Sequence, residues 1–174
     1  MVIETLRDTL SKVNDWIKFA EAKNAANTAF CSASIFGLTR ITLGIESINI
    51  FLKCYLVFII ILLAISLSLS LMSFIPSLKI PWLHIGKREK DDNLLYFGHA
   101  CKYNGSKYLD FLYNNKPHKS DNYEIEISYS NQIVINSKIA YIKYKQFDMA
   151  MWFTLTAIIS PVGYLIAIYM KNNF

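Results

Sequence analysis

The sequence predicts an all-α, helical membrane protein with two to three transmembrane helices, a small cytoplasmic helical module and a long final helix continuous with the last span. Three observations carry that expectation. Residues 54–75, CYLVFIIILLAISLSLSLMSFI, form a run of 22 without a charge. Residues 149–170, MAMWFTLTAIISPVGYLIAIYM, form a second uncharged run of the same length. Hydrophobic residues make up 53% of the chain and charged residues 18%, with a mean hydropathy of +0.28, so the two populations must be segregated. A helix rises about 1.5 Å per residue, so each run covers roughly 33 Å, enough to cross the hydrocarbon core of a bilayer. Residues 1–174 read as one membrane domain.

Residues 1–24 read as a cytoplasmic amphipathic helix, because Ile3, Leu6, Leu10, Val13, Ile17 and Ala20 recur three or four apart. Nothing breaks this helix before Gly37. Residues 25–45 are less apolar, with Asn27, Ser32, Ser34 and Thr39 spread through them and Arg40 placed to snorkel. The reading favours a span here over a helix lying on the membrane, and the count of two or three rests on that choice. The short link 46–53 would close a hairpin with 54–75. Pro161 and Gly163 fall inside the last run, where transmembrane helices tolerate them.

Between the firm spans, residues 76–147 contain Lys79, Lys87, Arg88, Lys90, Lys102, Lys107, Lys116, Lys119, Lys138, Lys143 and Lys145. The excess of cations places this module on the cytoplasmic side. Three spans put the N-terminus there too, which suits Arg7, Lys12, Lys18 and Lys23. Within the module, Asp92 or Asn93 is expected to cap a helix starting at Leu94. Ser106 is expected to cap a short helix, KYLDFLYNN, that Pro117 ends. From 121 to 147 the alternation of Ile125, Ile127 and Tyr129 resembles a strand. However, no Gly or Pro occurs between His118 and Ser160, and 27 residues without a turn signal is too long for one strand. Residues 121–170 are therefore expected to form one rod of roughly 75 Å. Ser66, Ser68 and Ser70 read as hydroxyls bonding back to helical carbonyls rather than as one pore-lining face.

The net charge of +5 reads first as a cytoplasmic membrane-surface signature and only second as a nucleic-acid footprint, so lipid and not nucleic acid is the expected partner. Glu4, Asp8, Asp15 and Glu21 rule out a secretory signal peptide in the first 25 residues. Cys31, Cys54 and Cys101 are odd in number and form no CxxC, which argues against a structural disulfide or zinc site. His84, His99 and His118 are far apart, and no GxSxG, P-loop or GxGxxG occurs. No enzyme, cofactor or metal is expected.

Trp16, Ala20, Lys23, Asn24 and Asn27 share one helical face. An aromatic, a cation and two amides suit a small anionic ligand, although an interfacial Trp with snorkelling lysines explains the same residues and is preferred on physics alone. Phe97, Tyr103 and Tyr108 could stack on a base, Asn131 and Gln132 could read its edge, and Lys138 and Lys143 could hold a phosphate. A helical core with a solvated basic face competes with that reading.

The segments WIKFAEAKN (16–24), LLYFG (94–98), YL (108–109), QIVINSKIA (132–140) and KY (143–144), ordered around the apolar runs, resemble the Pycsar transmembrane effectors, PycTM. The resemblance covers nearly the whole chain. It implies antiphage defence: a cognate cyclase makes cUMP or cCMP, and a homo-oligomeric effector in the bacterial inner membrane responds by impairing that membrane, causing abortive infection. The ligand-binding candidates are then Trp16, Lys23, Asn24, Phe97, His99, Tyr108, Gln132, Ser137, Lys138 and Lys143. His99 departs from the family, in which the position after Phe97-Gly98 is commonly acidic, and this puts the choice of nucleotide in question. The competing classes are a helical transporter subunit or anchor, and a holin-like toxin that needs no ligand.

Overall fold

A computed structural model describes residues 2–44, 49–75, 84–89, 91–113 and 122–173. The chain folds into α1 (Val2–Gly44), α2 (Ile50–Met72), α3 (Phe97–Ala100), α4 (Gly105–Leu112) and α5 (Tyr123–Asn173), with no strand among the described residues. It divides into two compact units: residues 1–21 with 76–145, and residues 22–75 with 146–174. Helices α1 and α5 contribute residues to both.

The two long helices form as their patterns predict. In α1 the buried positions Leu6, Val13, Ala20 and Asn27 fall seven apart, with Thr9, Asn24 and Cys31 between or after them. That 3.5-residue period keeps one seam facing its neighbours. In α5 the buried seam includes the small residues Ser130, Ser137, Ala140, Ala150, Thr154 and Ala157 beside larger ones such as Ile133, Val134 and Ile142. Small side chains let neighbouring backbones approach closely. The stretch from Tyr123 to Phe147 is helical, and the strand-like alternation of Ile125 and Ile127 is overridden.

The local starts differ from the sequence reading. The short helix α3 begins at Phe97 rather than Leu94. Asn93 Oδ1 accepts from the Leu95 N–H at 3.0 Å, making a local turn, while Asp92 Oδ2 accepts from the Glu89 N–H at 3.0 Å. These side chains serve turns instead of a helix start. Helix α4 is capped by Asn104, whose Oδ1 accepts from the Lys107 N–H at 3.0 Å, and Ser106 lies inside the helix. Helix α2 starts at Ile50, four residues ahead of the expected span, and takes Lys53 into its first turn. Its cap is Asn49, which accepts from the Phe51 N–H. The expected stop at Pro117, together with His118, Lys79, Lys90, Lys116 and Lys119, lies outside the described residues.

The first unit has an apolar core of Leu6, Val13, Phe97, Ala100, Tyr108, Leu109, Ile133, Val134 and Ala140. Gly105 permits the closest approach in it: a Cβ there would lie 2.9 Å from the Asn131 backbone nitrogen and would also strike the Asn131 side chain. Gly105→Ala is expected to destabilise this unit by about 1–3 kcal/mol through overpacking, read as a lower thermal midpoint in detergent. An unchanged midpoint would mean that α4 shifts freely.

The second unit clusters Cys31, Ile59, Leu63 and Ala157. Only 17% of the most apolar window of α2 is buried, although this helix is long and apolar enough to cross a membrane. A core helix of a soluble protein would be mostly covered. Phe30, Phe36, Ile41, Leu43, Phe51, Val57, Phe58, Ile61, Trp152, Ile158 and Ile159 are exposed on the same unit. Among the described residues α2 is the one helix that passes on length and composition. Within the expected last span, 149–170, the side chains of residues 162 and 164–170 lie outside the described ones.

Candidate functional site

The first unit gathers an aromatic cluster from three stretches of chain. α1 brings Trp16, the turn before α3 brings Tyr96, α3 brings Phe97 and His99, and α5 brings Tyr144. Trp16 and Phe97 have ring centroids 5.0 Å apart, Tyr96 and Phe97 4.7 Å, and Phe97 stacks on Tyr144 at 5.0 Å with 24° between planes. Tyr96 also meets His99 edge-on at 5.3 Å. Offset and tilted pairs at such distances hold rings in fixed orientations. Phe97 is buried, whereas Tyr96 is 43% exposed, so the cluster presents an aromatic face to solvent.

A buried ionic network supports that face from below. Lys102 Nζ lies 2.7 Å from Asp92 Oδ1, and the Tyr103 hydroxyl donates to Asp92 Oδ2 at 3.1 Å. His99 Nδ1 accepts from the Asn93 N–H at 2.8 Å, and Asp92 Oδ1 lies 3.7 Å away. The Asp92 side chain is 1% exposed and that of Lys102 10%. Burial alone would raise the Asp92 pKa, but the Glu89 N–H, Lys102 and Tyr103 outweigh it and hold it below the ordinary 3.8. The hydrogen bond to Asp92 raises Lys102 above its ordinary value. The result is an ion pair that fixes His99 and the turn carrying Tyr96.

The sequence-derived candidates have separate fates. Trp16, Phe97 and His99 come together in the aromatic cluster. Tyr108 is fully buried, donates its hydroxyl to the Leu94 carbonyl at 3.0 Å, and is pushed up to about 12 by burial. It is a core residue in this fold, with no face for stacking on a ligand. Gln132 is exposed and donates to Asn136 at 3.2 Å, and Asn136 in turn donates to Asn14 at 2.7 Å. Lys143 is largely buried and pairs with Glu21 at 3.1 Å, so an anion there must compete with a carboxylate. Ser137 is fully buried, and its Oγ has no hydrogen-bond partner among the described residues. Lys138 is half-buried, and its charge acts on the Cys101 thiol. Burial nonetheless pushes that thiol up to about 11, and Sγ donates to the Gly98 carbonyl, so Cys101 is inert near neutral pH. Lys23 and Asn24 belong to the second unit, where Lys23 sits 5.2 Å from the Phe147 ring centre and Asn24 is fully buried. Tyr96 and the Asp92–Lys102 pair were not among the candidates, and only their proximity in the fold reveals them.

The second unit holds a polar centre that the sequence reading did not assemble. Asn27 Nδ2 donates to Ser66 Oγ at 2.9 Å and to Ser70 Oγ at 2.8 Å. Its Oδ1 accepts from the Thr154 hydroxyl at 3.0 Å. Ser66 donates to the Ala150 carbonyl at 2.8 Å. Ser66 and Ser70 are four apart and share a face of α2, so the expectation that these serines bond back to their own helix holds only for Ser68, which donates to the Ala64 carbonyl. Asn27 therefore ties α1, α2 and α5 together. Among the described residues no three His, Cys, Asp or Glu side chains converge to hold a metal ion.

No curated protein matches this chain, and no solved structure does. A family model does match, over residues 5–170, and its description is Pycsar effector protein domain. The chain belongs to that family, PycTM.

Proposed function

We propose that this protein is a non-catalytic sensor that binds a cyclic pyrimidine mononucleotide, cUMP or cCMP, on the cytoplasmic side and answers by impairing the inner membrane as a homo-oligomer. Membership of the Pycsar effector family makes it an effector of antiphage defence. The observation that carries the finer reading is the aromatic face of Trp16, Tyr96, Phe97 and Tyr144, set beside the imidazole of His99 and the cation Lys102. A cyclic nucleotide has a flat base and one negative charge. Exposed Tyr96 offers a ring for the base, and half-buried Lys138 a cation for the phosphate.

The membrane arm of the reading rests on α2 and on the exposed apolar side chains around it. In this proposal α1 and the end of α5 also cross the bilayer, giving a multi-pass protein of the inner membrane. A ligand acts only by favouring one arrangement over another. Helices α1 and α5 have residues in both units and are the elements through which such a preference would pass.

The test is binding by purified protein in nanodiscs, titrated with cUMP, cCMP, cAMP and cGMP. One pyrimidine nucleotide is expected to bind at least tenfold tighter than either purine. Trp16→Ala is expected to weaken that binding about tenfold or more, because stacking one base on an aromatic contributes about 1–3 kcal/mol. Equal binding of all four nucleotides, or none, removes the signalling reading. Killing by expression without any cyclase would favour a ligand-independent toxin instead.

A further inference from the structure

The polar centre of the second unit is the middle of a longer buried file. α1 contributes Asn24 and Asn27, α2 contributes Ser66, Ser70 and Ser73, and α5 contributes Thr154, each at most 5% exposed. The three serines lie four and three apart, so they share one face of α2 and cover about 10 Å of its axis. Asn24 and Asn27, three apart, share a face of α1 in the same way. The file begins at the end of the unit where residue 22 enters and residue 75 leaves. It stops at an apolar layer of Ile59, Leu63 and Ala157. Cys31 marks the junction: its side chain belongs to that apolar cluster, while its Sγ lies 3.5 Å from the Thr154 hydroxyl and 3.6 Å from the Ser66 hydroxyl.

The outward sides of the same helices have the opposite character, with Phe30, Phe58, Ile61 and Trp152 exposed. Polar inside and apolar outside is the order of a structure that holds water within a bilayer. Packing alone accounts for one amide and its partners. It does not account for polarity that continues from Asn27 to Asn24 and Ser73 and ends abruptly at one apolar layer. We infer that this file is the path by which ions cross in the active arrangement, with Ile59, Leu63 and Ala157 as its gate. In the arrangement described here the path is shut in two ways. The Asn27 amide is bonded to Ser66, Ser70 and Thr154, which leaves no lumen, and the apolar layer offers water no partner. When the helices part, the amide and hydroxyls exchange these bonds for water, and an apolar constriction wets once it widens. No formal charge stands among the six side chains, so the path passes ions of both signs.

This inference rests on the membrane-impairing reading and deepens it, and it uses nothing of nucleotide sensing. The test is ion flux from liposomes containing the full chain, without any nucleotide. Leu63→Ser is expected to release potassium and chloride at least tenfold faster than the wild type, because a hydroxyl in the closing layer lets it wet. A positively charged, water-soluble methanethiosulfonate should also modify Cys31 at least tenfold faster in Leu63→Ser, with the modified peptide identified by mass. Both chains carry Cys54→Ser in that measurement, because Cys54 is exposed. Adding Ser70→Asp to Leu63→Ser should move the reversal potential under a potassium chloride gradient toward that of potassium, because a carboxylate in the path favours cations. Ile59→Ser replaces Leu63→Ser throughout if the latter does not insert. Tight liposomes with an inserted serine variant would overturn the inference. So would a leak in which Cys31 stays unmodified, or one whose reversal potential Ser70→Asp leaves unchanged, since the file would then only pack the helices. A leak through Leu63→Ser from a protein that binds no nucleotide would support the path and remove the sensing reading instead.

Discussion

Asp92→Asn is expected to cost the first unit about 3 kcal/mol at neutral pH, measured by near-ultraviolet circular dichroism during thermal unfolding in detergent. Removing one partner of a buried ion pair leaves the other charge desolvated, which costs about 3–5 kcal/mol. The lower end applies because the Lys102 side chain keeps some solvent access and the new amide can still accept from the Glu89 N–H. Loss of the carboxylate also removes an acceptor for Tyr103 and the anion beside His99. The turn that carries Tyr96 and Phe97 should loosen, so aromatic ellipticity should fall along with the midpoint. A superposable melt would show that the pair contributes nothing net.

The sign of the pH dependence follows from the shift. Asp92 is held below its ordinary 3.8 in the folded chain, so its stabilisation is present above that value. It is lost as pH falls through the lower, folded value. Lys102 is held above its ordinary 10.5, so its share is present below that value and fades as pH rises through the folded one. The wild-type midpoint should therefore drop on acidification below about pH 4, and Asp92→Asn should lack that part of the drop.

How much of this was legible beforehand depends on distance along the chain. Local patterns carried the long helices: the recurrence of Ile3, Leu6, Leu10, Val13, Ile17 and Ala20 three or four apart, and the absence of any turn signal from Tyr123 to Phe147. Helix starts were less legible, since Asp92, Asn93, Asn104 and Ser106 are all good cap residues, and which one caps is decided by backbone angles and competing partners. Of the candidate residues, Trp16, Phe97 and His99 meet in the fold, and nothing in the sequence signalled that these three rather than Lys23 and Asn24 would lie together. Nor was the burial of Tyr108 legible, because an aromatic side chain fits a core as well as a binding face. Pairings across long separations were invisible: Lys143 with Glu21 is one, and Asn27 with Ser66 and Ser70 is another. Nothing in a serine every second residue says which of them meets an asparagine on a different helix.

That asparagine is the second position where one change should matter most. Asn27→Leu removes three interhelical hydrogen bonds, to Ser66, Ser70 and Thr154, from a fully packed seam. Such bonds between membrane helices contribute about 0.6 kcal/mol each on average, and up to about 1.7 kcal/mol, so the expected loss is about 2 kcal/mol in the second unit. Leucine has similar bulk and returns some dispersion, but Ser70 and Thr154 lose their Asn27 partner, while Ser66 keeps the Ala150 carbonyl and Thr154. A detergent-denaturation midpoint reads the loss directly. The same substitution also bears on the proposed mechanism. If the resting arrangement alone holds this polar centre, weakening it by about 2 kcal/mol shifts the balance between arrangements about thirtyfold. Cells expressing Asn27→Leu should then arrest without any cyclase, while the wild type waits for its nucleotide. Lower stability with no arrest would mean that the polar centre persists in the active arrangement and serves only to pack α1, α2 and α5.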